Sequence, residues 1–323
     1  MGKRIEPADL SRVTTYPLAE RANKVDLSRF GRPLDERASL FDFLDSLPDL
    51  LAVRSLRGLA RAIVDARQAD RAVVWAMGAH PIKVGLNPIL IRMMDRGFVT
   101  ALALNGAGVI HDWETAAIGG TSEDVAEGLD DGSFGMVEET GRAINAAARE
   151  AAEQGIGLGE AVGRGIAQSA LPHRDSSVLA AAYRLGLPAT VHVAVGGDIV
   201  HMHPSADGAA IGAASFTDFK LLAGVLTEIE SGVFVNCGSA VQLPEVFLKA
   251  LTVARNLGHR ATPLTTANLD MQRHYRTEQN VLRRPTRGGG RSFSLIGHHE
   301  INVPLLAAAI DREFSRRAKP ARR

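Results

Sequence analysis

His111, Asp112 and Glu114 follow a run of small residues, Asn105-Gly106-Ala107-Gly108, and place an imidazole and two carboxylates beside backbone that a ligand can approach closely. An imidazole titrates near neutral pH, so His111, with Asp112, is a candidate for acid–base work, and Glu114 stands beside them. His298, His299 and Glu300 form a second grouping, and His298 joins His111 and Asp112 as a candidate for proton transfer. His201 and His203 share one face of an extended segment and could share a cation. With His298, His299 or Glu300 as third ligand they would complete a catalytic Zn or Fe site, the metal-dependent hydrolase or lyase alternative. No HExxH or cysteine pattern accompanies them, and polar loop histidines lining the substrate half of a pocket are the other reading. The pairs Asp130-Asp131 and Glu138-Glu139 stand beside predicted helix starts, where they favour the helix dipole.

The elements that must position these groups alternate along the chain. Apolar runs at 72–77, 99–104, 190–195, 232–236 and 293–296 predict strands. Helical spacing predicts helices between them, including two over 36–68 divided near Pro48, one from Pro88, and one over 216–229 with Asp218 in its first turn. Thr121-Ser-Glu-Asp carries the capping-box pattern for another. Gly155, Gly157 and Gly159 have no strand before them and predict a helix–helix turn. The alternation predicts an α/β, Rossmann-like parallel sheet with helices on both faces. Loops starting at Gly78, Asn105, Gly196, Gly238 and Gly297 then gather at its C-terminal edge, where a nucleotide can meet backbone N–H groups. Lys83 is the lysine inside such a loop and suits a phosphate; Arg287-Gly-Gly-Gly-Arg291 is either a phosphate clamp or a mobile turn.

Composition excludes several classes. A net charge of +1 gives no global reason to expect nucleic acid. No apolar run stands out as a membrane span, and residues 1–30 carry no signal-peptide core. The single cysteine, Cys237, excludes an internal disulfide and fits the cytoplasm. Residues 1–34 read as an extended arm, 35–315 as a single α/β domain, and 316–323 as a basic tail.

Taken in order, these blocks resemble the deoxyhypusine synthase family over residues 70–310. Gly78-Ala-His-Pro and Asn105-Gly-Ala-Gly108, with His111 and Asp112, hold the places of that family's first two loops. Ala170-Leu-Pro-His-Arg-Asp-Ser-Ser177 resembles a block whose Asp binds the NAD ribose, which falls on Asp175. Gly238-Ser239-Ala-Val resembles the Gly-rich block after a later strand, and His298-His-Glu-Ile-Asn-Val-Pro-Leu-Leu306 the closing one. The resemblance implies NAD as cofactor, held by Gly78, Lys83, Asn105, Gly106, Ala107, Gly108, Asp175, Gly238 and Ser239. It also implies a homotetramer with the site near a subunit interface. Glu245, His201, His203, His299 and Glu300 would face a small-molecule substrate. The family's imine-forming lysine block corresponds to Val281-Leu-Arg-Arg-Pro-Thr286, which has no lysine, and arginine cannot form a Schiff base. A polyamine-holding carboxylate is replaced by Ala180, so spermidine is not the expected substrate. A nucleotide-binding protein without turnover is the non-enzymatic alternative.

Overall fold

The computed structural model describes residues 3–318, so Lys319, Arg322 and Arg323 of the basic tail lie outside it. The chain divides into two compact units after Leu51. In the first, single 3-10 turns at Leu10–Arg12, Leu18–Glu20 and Leu27–Arg29 punctuate extended, exposed chain. They lead to α1 (Leu40–Ser46). That helix starts at a capping box: Asp42 N–H donates to the Ser39 hydroxyl and Ser39 N–H to the Asp42 carboxylate.

The second unit is built on six parallel strands: β1 (Val73–Met77), β2 (Ala101–Asn105), β3 (Ala189–His192), β4 (Val233–Cys237), β5 (Thr265–Asp270) and β6 (Arg291–Ile296). Their order is β3-β2-β1-β4-β5-β6, with Met77 in register with Leu104 on one side and Cys237 on the other. The chain winds outward one way from β1 to β3 and the other way from β4 to β6. This puts the topological switch point between β1 and β4, where ligands bind in doubly wound folds. β1, β3, β4 and β5 are buried throughout and β2 is buried up to its half-buried last residue, Asn105, whereas β6 forms a partly exposed edge.

The helices are α2 (Leu51–Gln68), α3 (His80–Lys83), α4 (Asn87–Asp95), α5 (Gly106–Ile118), α6 (Val125–Asp131), α7 (Glu138–Gln154), α8 (Leu158–Gln168), α9 (Val178–Arg184), α10 (Gly208–Thr227), α11 (Gln242–Asn256), α12 (Tyr275–Thr277) and α13 (His299–Ala318). A π-helical turn, Glu278–Arg283, extends α12. One core layer packs Val74, Ala76, Ala101, Ala103 and Phe234 against Leu222, Leu226, Phe247 and Leu251 of α10 and α11. α10 has a mean hydropathy of 1.4 over a membrane-length window, so the sequence does contain one helix long and apolar enough to span. Its Ile211, Ala214, Leu222 and Leu226 are buried here.

The structure revises several local expectations. β5 was not predicted: Thr265-Thr-Ala-Asn-Leu-Asp lacks a continuous apolar run, yet every residue is buried, and Asn236 Nδ2 donates to Asn268 Oδ1 at 2.7 Å across the β4–β5 pair. Asp218 is not in a first turn, because α10 begins ten residues earlier at an Asp207 cap. Asp130 and Asp131 end α6 instead of starting a helix, whereas Glu138 and Glu139 do open α7. The cap of α6 is Asp124, not Thr121. Gly155 and Gly157 do form a helix–helix turn, between α7 and α8. Arg287–Arg291 runs into the start of β6, where Arg291 N–H donates to Leu264 O, so that loop sits at the sheet edge opposite the switch point.

Candidate functional site

A pocket of about 860 Å³ opens beside the C-terminal ends of β2 and β3. α5 forms its floor, with Ala107, Ile110, His111, Trp113, Glu114 and Ile118 on the lining. Thr121, Phe134, Val137 and Thr140 close one side, Gly197 to Ile199 another, and Lys83 stands at the end of α3. Apolar walls with a few convergent polar groups are the usual make-up of a small-molecule site.

Its polar groups form a chain. The Thr121 hydroxyl donates to Glu114 Oε2 at 2.5 Å, and Thr140 donates to Glu114 Oε1 at 3.1 Å. With its proton so committed, Thr121 Oγ1 accepts from His111, whose Nδ1 lies 2.6 Å away. Thus Nδ1 carries the imidazole proton and Nε2 keeps a lone pair. Burial, and then the Lys83 ammonium, lowers the His111 pKa to about 4, so the ring is neutral at pH 7.

Asp112 lies one residue away but points the other way. It is wholly buried and accepts from Ser177 Oγ at 2.6 Å, Val178 N–H at 2.8 Å, Leu179 N–H at 3.1 Å and Asn87 Nδ2 at 3.1 Å. It therefore caps α9 and is absent from the pocket lining, a structural post where the sequence suggested an acid–base group.

The glycine loops also serve other ends. At the N-terminus of α5, Gly108 N–H donates to Asn105 Oδ1 at 2.9 Å and Ala107 N–H bonds the Asp198 carboxylate. A Cβ on Gly106 would lie 2.1 Å from Asp198 Oδ2, so the glycine is needed to admit that carboxylate. The helix terminus expected to cradle a phosphate already holds an anionic side chain of its own. Gly78 N–H donates to Cys237 O, and Gly238 N–H to Leu269 O, so both are spent continuing the sheet ladder. Ser239 Oγ accepts from Leu243 N–H at 3.1 Å inside the first turn of α11. Asp175 is exposed, pairs with Arg184 at 3.5 Å, and does not line the pocket. Among the residues expected to hold a cofactor, Lys83 and Ala107 line the pocket.

The histidine groups separate. Ile199–Met202 is a 3-10 turn, so His201 and His203 do not lie along an extended segment. His203 Nε2 lies 2.8 Å from Gly135 O and presses on Gly141 of α7, while Gly196 N–H donates to His201 Nδ1 at 3.3 Å. His298 is exposed beside Glu300, at 3.8 Å. His299 is buried, with Nε2 3.1 Å from Leu269 O and Nδ1 2.9 Å from His80 Nδ1. Among the described residues no three His, Cys, Asp or Glu side chains group as a metal cage. Glu245 is taken by Arg276, Lys249 and Asn280 Nδ2, the last at 2.7 Å. Hydrogen bonds from Lys249 and then Arg276 hold its pKa down. Two pocket residues of the polar chain lay outside the sequence-based set: Thr121, hidden inside an apparent capping box, and Glu114, noted but given no role; His80, quoted within its loop and given none, lies against His299. Buried Cys237 has its thiol pKa pushed up by desolvation and is inert.

Among solved structures, the chain is similar to AgrE in its ternary complex with ornithine and NAD+, with a TM-score of 0.52 and 16 % identity over 81 % of this chain and 33 % of that one. It is similar to a deoxyhypusine synthase-like protein from Entamoeba histolytica, with a TM-score of 0.51 and 10 % identity over 86 % of this chain and 95 % of that one. A LOR/SDH-type protein from Methanococcus maripaludis S2 gives 0.50 and 16 % over 87 % and 75 %. The chain spans about a third of AgrE. At these identities the likeness shows the α/β fold. No family model matches the sequence, and no curated protein matches it.

Proposed function

We propose that this protein is an NAD-binding enzyme acting on a small metabolite other than spermidine. The observation that carries the reading is the strand order β3-β2-β1-β4-β5-β6 with a pocket at the C-terminal ends of β2 and β3, beside the switch point. Solved proteins of similar fold include one complexed with NAD+ and ornithine, which supports the cofactor class. The residues present fit a dinucleotide in the pocket, not in the glycine loops. Trp113, Ile110 and Ile118 offer apolar walls, and Lys83 offers a cation for a phosphate. NAD, when bound, supplies hydride acceptance. The chain's own residues bind and orient the ligand, and neutral His111 takes or returns a proton at Nε2.

The exposed apolar residues at and around the pocket rim, Ile118, Val125, Leu129, Met136 and Val137, support the homotetramer with subunit contacts near the site. The reading is tested by calorimetric titration of NAD+ and NADH into the purified chain. Binding should weaken at least tenfold, about 1.4 kcal/mol, in Lys83→Ala. No binding to the wild type at millimolar nucleotide overturns it.

A further inference from the structure

We infer that His111 is the proton acceptor of the pocket, that Thr121 and Glu114 are its positioning residues, and that the group it receives is the hydroxyl of a neutral ligand with an apolar body. This rests on the reading of the pocket as the ligand site of the enzyme.

The Thr121 hydroxyl donates to Glu114 Oε2, so its oxygen is left to accept from His111 Nδ1–H. Only Nε2 of His111 remains without a partner, and His111 lines the pocket. As the ligand is oxidised, the O–H electron pair would form the second C–O bond while the carbon gives up hydride to a nicotinamide acceptor, and the proton would form an N–H bond at Nε2. The new imidazolium then strengthens its Nδ1–H donation to Thr121, and through it the bond to the Glu114 carboxylate. Other charged groups facing the ring are Lys83 from α3 and Glu114 from its own helix, with Glu123, Glu139 and Asp198 elsewhere on the lining.

The pocket selects the body of the ligand. Its apolar stretch, Ile110, Trp113, Ala117, Ile118, Phe134 and Val137, favours a hydrocarbon body, while Lys83, Glu114, Glu123, Glu139 and Asp198 make up its charged part. Burial together with Lys83 disfavours the protonated ring in the free protein, so the ring meets the ligand unprotonated. A neutral hydroxyl meets an unprotonated Nε2 with the right polarity, whereas an ether of the same skeleton has nothing to donate.

Labelling with diethyl pyrocarbonate, which attacks unprotonated imidazole, tests this without a known substrate. In wild type, His111 should be labelled at Nε2, with a pH profile whose midpoint lies well below that of an ordinary imidazole. Thr121→Val should slow labelling at His111 about tenfold, and Thr121→Ser should restore it. Long-range 15N NMR should show the Nδ1–H tautomer in wild type and its loss in Thr121→Val. Cyclohexanol should protect His111, and its methyl ether should not. An Nε2–H tautomer in wild type, equal labelling of wild type and Thr121→Val, or equal protection by alcohol and ether each overturns the inference. Failure of NAD to bind while this labelling pattern holds removes the cofactor reading and leaves the relay standing.

Discussion

His80 and His299 meet Nδ1 to Nδ1 at 2.9 Å beside the junction of β1 and β4, and a peptide carbonyl decides which of them holds the shared proton. His299 Nε2 faces Leu269 O at 3.1 Å and must donate to it, so its Nδ1 is the acceptor and His80 Nδ1–H the donor. His80 Nε2 is left with a lone pair at the switch point. Burial and then His299 lower the His80 pKa.

This arrangement predicts the His80 Nδ1–H and His299 Nε2–H tautomers, readable by long-range 15N NMR. His299→Ala would take one of two donors from Leu269 O, which keeps Gly238 N–H, and would leave His80 Nδ1 without its partner; it should lower unfolding stability by roughly 1–2 kcal/mol in urea titrations. Loss of less than a few tenths of a kcal/mol would mean the pair carries no structural weight.

Gly78→Ala should destabilise strongly, because its Cβ would lie 2.4 Å from Gly238 O and both sides of the clash are backbone. About 2–4 kcal/mol is expected for overpacking that cannot relax through a side chain. Gly165→Ala in α8 has nothing within 4 Å of the new methyl and should stabilise by about 0.5–1 kcal/mol. Matched denaturation curves of the two variants check both signs.

Two carboxylates and two imidazoles set opposing slopes of stability with pH. Burial raises the pKa of Asp112 to about 6 and of Asp218 to about 7, so between their ordinary value and these the folded chain holds protons the unfolded chain has lost. Stability from them is present at acid pH and falls as pH rises. Burial lowers His111 and His192 to about 4, so their contribution is present above the ordinary imidazole value and is lost as pH falls toward 4. Between pH 4.5 and 6, Asp218→Asn should gain stability with pH more steeply than wild type, by up to roughly 1.4 kcal/mol per unit, and His111→Gln less steeply. Melting temperatures across that interval check the pair; equal slopes in all three proteins would refute it.

Asp198→Ala should expose the N–H groups of Ala107 and Ala194 that the carboxylate now receives. A cost of about 1–2 kcal/mol is expected, as for a lost helix cap. Phosphate should then raise the melting temperature of the variant more than that of wild type at matched ionic strength. Equal responses would show that the vacated helix terminus does not take anions.

The α/β order was legible because β1, β2 and β4 are apolar runs ending at glycine or asparagine. β5 was not, because its Thr265, Thr266 and Asn268 look exposed until the Asn236–Asn268 bond supplies a buried partner. The position of His111 beside a loop was readable, and the residue lines the pocket. Its partner Thr121 lies ten residues on, in a stretch whose local pattern argued for a helix cap, and only the turn after α5 brings the hydroxyl to it. The expected phosphate cradle failed for a reason invisible along the chain: Asp198 comes from the loop after β3, far from Gly106 in sequence. Glycine there signalled close approach correctly, but the approaching group was a side chain of the same protein.

Asp112, Asp198 and Asp218 each complete the start of a helix made elsewhere in the chain, and this bears on how the protein is born. Asp112 is synthesised before α9 and waits for Val178, 66 residues later. α8 is the reverse: Gly159 N–H needs Asp218, 59 residues downstream, as does Val191 in β3. An 11-residue helix is marginal alone in water. A nascent chain that has emerged only through β3 therefore has α8 and the edge of β3 unfinished, and β1 still lacks β4 on its other side. Folding during translation should stall there and close in one late, cooperative step once α10 and β4 are out of the ribosome. Truncation after Thr227 should leave a protease-sensitive chain, whereas extension through β4 and α11 should confer protection abruptly.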